Sequence, residues 1–122
     1  MLDLYKYVTD KLKTLDTQLY TDYIPTEKTY PYVQFQFPNV SPNGFGELNL
    51  LQIDVWDKST SNVHVETITD NIDKLFNRHN EITNDYCIQV YRNNPYRLNI
   101  PDPDMEIRRR QLRYVIKIYR KE

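Results

Sequence analysis

The chain has 122 residues, of which 39% are apolar and 27% charged, which suits one folded domain around one core and argues against disorder. A formal net charge of −1 gives the whole molecule no electrostatic case for nucleic acid or an anionic membrane. No apolar run approaches a membrane span, and the single cysteine, Cys87, rules out an internal disulfide and fits a reducing compartment.

Leu4, Val8, Leu12 and Leu15 recur at helical spacing among Lys6, Asp10, Lys11 and Lys13, with Asp3 placed to cap. This predicts an amphipathic helix over 3–15. Pro25 and Pro31 bracket a polar stretch with extended flanks at 20–24 and 32–37. In the second flank Val33, Phe35 and Phe37 alternate with Gln34 and Gln36, a strand pattern. Residues 38–46 hold both glycines, two prolines and two asparagines, and are expected to be a loop with Phe45 at its tip.

Leu51, Ile53 and Val55 then alternate with Gln52, Asp54 and Trp56 as a half-buried strand. Val65, Ile68, Ile72, Leu75 and Phe76 form one helical stripe, and Ser59 or Ser61 can cap it. A strand over 86–91 carries Ile88 and Val90 on one face. Residues 93–104 contain three prolines and are expected to form an extended arm. In the last strand Leu112, Tyr114, Ile116 and Ile118 point one way, and Arg113, Val115, Lys117 and Tyr119 the other.

The order α-β-β-β-α-β-β predicts an α+β fold, one domain over 1–122. It would be a single, mostly antiparallel, four- to five-stranded sheet with two helices packed on one face. The covered face takes Val33, Phe35, Phe37, Leu51, Ile53, Val55, Ile88, Val90, Leu112, Tyr114, Ile116 and Ile118. The opposite face takes Gln34, Gln36, Gln52, Asp54, Trp56, Gln89, Tyr91, Arg113, Lys117 and Tyr119. That second face is too aromatic to be simply wet and too polar to be a core, which suggests a partner surface. Open antiparallel faces of this kind also occur in monomers.

Catalytic, metal and cofactor residues are expected to be absent. Gly44-Phe45-Gly46 is neither a phosphate loop nor a dinucleotide fingerprint. His64 and His79 lie too far apart for a zinc helix, and Cys87 falls in a strand, where a small buried hydrophobe is the default. Asp102, Asp104 and Glu106 have the spacing of a hard-cation site, but Pro101 and Pro103 interleave, which favours a rigid solvated arm. Arg108, Arg109 and Arg110 alternate in a strand, so they divide between its faces instead of forming one phosphate patch.

Two bulk features point to protein contacts. Eleven tyrosines suit interfaces, although they also suit strands. Residues 105–122 carry a net +5 and the remainder −6, a split that allows head-to-tail contact between copies or, alternatively, a charged edge that resists aggregation.

The chain resembles the tail-terminator, or tail-completion, proteins of long-tailed bacteriophages. The likeness is carried by the N-terminal helix with its proline-punctuated sequel, YPYVQFQFPNV at 30–40, LQIDVWDKSTS at 51–61 and DPDMEIRRRQLRYVIKIY at 102–119. It implies a non-enzymatic structural protein of the virion, located at the head–tail junction. Such proteins form a ring, usually of six subunits, on the head-proximal end of the tail tube. The ring ends tube polymerisation and joins tail to head. The implied partners are further copies of the chain, the major tail tube protein and the head-closure or connector protein. DNA would pass through the lumen without sequence recognition. A charged N-terminus without an apolar run fits assembly in the host bacterial cytoplasm. On this reading the candidate subunit or tube contacts are Phe45, Trp56, Tyr91, Tyr96, Arg97, Arg109, Arg113 and Tyr119, with residues 38–46 and 93–104 as reaching arms. Two alternatives are another head–tail connector, expected to be richer in barrel or helix, and a small regulatory protein-binding module.

Overall fold

A computed structural model of the chain describes residues 4–15, 17–21, 24–40, 46–83 and 85–120. In order, these form α1 (Leu4–Leu12), β1 (Gln18–Tyr20), β2 (Tyr32–Asn39), β3 (Gly46–Lys58), α2 (Val63–Phe76), β4 (Asn80–Ile82), β5 (Tyr86–Asn99) and β6 (Ile107–Arg120). The six strands make one sheet in the order β1-β2-β3-β6-β5-β4. β1 runs parallel to β2, and every other pair is antiparallel.

The α+β character and the two-helix count match expectation, while the sheet is larger and mixed. Two three-residue strands account for the difference: β1, which is parallel and lies at Gln18–Tyr20 where extended chain was expected over 20–24, and β4, which was not expected. β1 and β4 carry no apolar alternation, because each is held at an edge mainly by backbone bonds to its neighbour. A parallel β1 follows from the long connection through Pro25 and Pro31, which returns the chain to start β2 in the same direction.

β3 and β6 form the centre. Ile53 faces Leu112 and Leu51 faces Tyr114 across this pair, and α2 packs over both strands. All the residues assigned to the covered face are buried except Phe37, which is half-buried against Tyr5. Leu4, Val8 and Leu12 of α1 and Val65, Ile68, Ile72 and Phe76 of α2 close the core from the other side. Helix α1 ends at Leu12, short of the expected residue 15, and Asp3 lies outside the described residues.

At the entry to α2, Asn62 takes the cap position, while the oxygen of Ser61 accepts from the Val63 amide at 3.2 Å. The oxygen of Ser59 accepts from the Ser61 amide at 3.1 Å, so both serines shape the turn that leads into the helix. At the exit, Arg78 adopts a positive φ of 56°, a position that normally favours glycine.

Two expected loops are partly strand. Pro38 and Asn39 belong to β2, Gly46 opens β3, and the tip with Phe45 lies outside the described residues. The first half of the expected arm, Asn93–Asn99, completes β5. Prolines hid this continuity because they cannot donate to a ladder. The strands absorb them as irregularities, with register shifts between Gln36 and Asn39 and between Arg92 and Arg97. No helix among the described residues is long and apolar enough to cross a membrane.

Candidate functional site

The sheet face that carries no helix holds a connected polar network. Its centre is Asp54 on β3, only 2% exposed although no helix covers it. Side chains lying across the sheet shield it. Arg109 donates to Asp54 Oδ1 from Nη2 at 3.1 Å and from Nε at 3.3 Å, and Gln111 Nε2 donates to the same oxygen at 3.1 Å. Gln52 Nε2 donates to Oδ2 at 3.2 Å. Arg113 then donates to Gln111 Oε1 at 2.9 and 3.1 Å, which extends the network along β6. A buried carboxylate is tolerable only with such a donor set.

Beside it, three side chains form a row across β2, β3 and β6. Tyr32 stacks on Trp56 with ring centroids 4.9 Å apart and planes 16° from parallel. The Arg109 guanidinium lies 4.6 Å from the Trp56 ring centroid. Tyr20 and Tyr30 continue the aromatic row, 5.7 and 5.3 Å from Tyr32. Burial, then its neighbour Tyr30, pushes the Tyr32 hydroxyl well above its ordinary range, so it stays protonated and available as a donor. Farther along the same face, Tyr91 and Tyr119 stand about two-fifths exposed, at 39% and 41%, and the Lys117 ammonium lies 5.4 Å from the Tyr91 ring. Cys87, paired with Tyr119 across β5 and β6, is half-buried on this face instead of in the core.

Five of the expected contact residues, Trp56, Tyr91, Arg109, Arg113 and Tyr119, thus share one face. Tyr96 and Arg97 do not. The irregularity in β5 turns them toward α2, where Arg97 pairs with Asp70 at 2.7 Å and with Glu66, and Tyr96 packs on the core beneath the Arg92 guanidinium. Glu66, Asp70 and Asp73 recur along one edge of α2 and meet Arg92, Arg97 and Arg110 there. Arg109 and Arg110 do point to opposite faces, as strand geometry requires.

Tyr32 and Gln111 were not foreseen as members of the open face. The alternation that placed Gln34 and Arg113 there extends to both residues and is the signal that finds them. Asp102 and Asp104 each accept the backbone amide two residues on, at 2.9 Å, so both carboxylates serve local turns. Among the described residues, no group of three or more histidine, cysteine, aspartate or glutamate side chains is placed to hold a metal ion. No protein-family model and no curated protein matches the sequence.

Proposed function

We propose that this chain is a structural protein of a long-tailed phage virion that forms a ring on the head-proximal end of the tail tube, ending tube growth and joining tail to head. The open sheet face is the observation that carries this reading. Arginine, tyrosine and tryptophan concentrate at protein interfaces, and here a buried carboxylate holds Arg109 against Trp56, on which Tyr32 stacks, before any partner arrives. Side chains already ordered lose little entropy on docking, which favours association. A ring requires a heterologous contact, in which this face meets a different surface of the next copy. The acidic body and basic last strand offer complementary charge for that contact. The tube protein and the head-closure protein would bind the two rims of the ring, and DNA would cross its lumen without recognition.

Negative-stain electron microscopy of particles from a phage lacking the gene tests the proposal. Overlong or ragged tails beside unjoined, DNA-filled heads are the expected result. Tails of normal fixed length that fail to join would move the protein to the head side of the neck. Intact infectious particles would overturn the structural reading in favour of a regulatory module.

A further inference from the structure

On the helix side, remote from the open face, α1 and the segment joining α2 to β4 bring together an unusual group. Lys11 Nζ lies 2.8 Å from Nε2 of His79, which receives one of its protons when the ring proton sits on Nδ1. The same ammonium lies 5.0 Å from the centroid of the Tyr7 ring. The Tyr7 hydroxyl is buried with no hydrogen-bond partner among the described residues. Tyr7 and Lys11 sit one turn apart on α1.

 Tyr7 and Lys11 line a hollow of about 290 Å³, together with Asp10, Thr14, Leu75 and Glu81. The amine therefore opens onto a small hollow with an imidazole behind it. Burial lowers the Lys11 ammonium from its ordinary range, partly countered by the charge of Glu81. Burial, then the charge of Lys11, lowers His79, which leaves the ring neutral at pH 7 and able to accept a proton.

We propose that Lys11 is a nucleophilic amine that takes an acyl group from a small activated donor, an acyl phosphate or a thioester. In that step the Lys11 nitrogen forms a bond to the acyl carbon. The carbon–oxygen bond to phosphate, or the carbon–sulfur bond to thiolate, breaks with its electron pair on the leaving group. The proton lost by the nitrogen passes to His79 Nε2 and on to solvent, leaving a neutral amide at Lys11. The other described lysines sit in different settings. Lys6 is paired with Asp10 at 2.7 Å, and Lys13, Lys58 and Lys74 are exposed to water.

The test is mass-spectrometric mapping of the unaltered protein after brief, substoichiometric treatment at pH 7 with acetyl phosphate and, separately, with a small acetyl thioester. Lys11 should acquire label at least about threefold faster than Lys13, Lys58 or Lys74, a modest share of what a positioned base can supply. Label in one arm alone assigns the donor class. His79→Gln keeps an acceptor beside the amine but no base, and should abolish the preference while the exposed lysines react as before. Labelling that simply follows exposure, or a Lys11 preference that survives His79→Gln, overturns the proposal.

Discussion

Replacing Asp54 with alanine would strand donors from Arg109, Gln111 and Gln52 on the open face. Arg109 is 28% exposed in its side chain and regains water, so the expected loss is about 2 kcal/mol, not the larger cost of a sealed ion pair. Urea unfolding at neutral pH measures it, and a change under about 0.5 kcal/mol would show that the network is not cooperative. In the core, Ile72→Ala should cost about 3 kcal/mol, because the side chain is fully buried between α2 and the sheet. Helical spacing made the core residues of α1 and α2 legible, and alternation those of the sheet, since each strand position has only two faces to choose between. The burial of Asp54 was not legible. Two of its donors come from residues 55 and 57 positions later, and only the pairing of β3 with β6 brings them together.

At the scale of elements, α2 is tied to the sheet by charge as well as by its apolar stripe. Burial alone would raise Glu66 and Asp73, but the bonds from Arg110 to Glu66 and from Arg92 and Tyr114 to Asp73 outweigh it and hold both carboxyls below their ordinary values of 4.5 and 3.8. A carboxyl lowered in the folded state contributes stability above its unfolded value and loses it as pH falls through the folded one. Stability should therefore be level at neutral pH and decline on acidification below about pH 4.5, with Asp73→Asn flattening part of that slope in urea titrations across pH 2–7. Arg78→Gly should stabilise the exit of α2 by about 0.5–1 kcal/mol, since glycine adopts positive φ without a Cβ clash; a loss of stability would contradict this. Helices and central strands were readable from period and apolar content. β1 lies at Gln18–Tyr20 where extended chain was expected over 20–24, and β4 and the second half of β5 were not readable, because edge strands need only backbone partners and prolines mimic loop chemistry.

For the whole molecule, Tyr91 and Tyr119 separate assembly from folding. Both are exposed, so Tyr91→Glu with Tyr119→Glu should leave the unfolding midpoint nearly unchanged. If the open face joins copies, native mass spectrometry should find a ring for the parent protein and a monomer for the double variant. A ring that survives both charges would place the subunit contact elsewhere. The expected likeness to tail terminators rested on the N-terminal helix and short segments of sequence, whereas the bonding on the open face emerges only when β3, β5 and β6 lie side by side.

The short outer strands have one more consequence. β1 pairs only with Tyr32–Gln34 and β4 only with Cys87–Gln89, so much of β2 and β5 has no outer neighbour among the described residues. Those stretches contain Pro38 and Pro95, each at a break in register. A stray chain zipping onto either margin would meet a missing donor and a kink within a few residues. The margins are thus guarded against runaway fibre growth, and in the proposed ring that guard would keep copies from adding edge to edge without end.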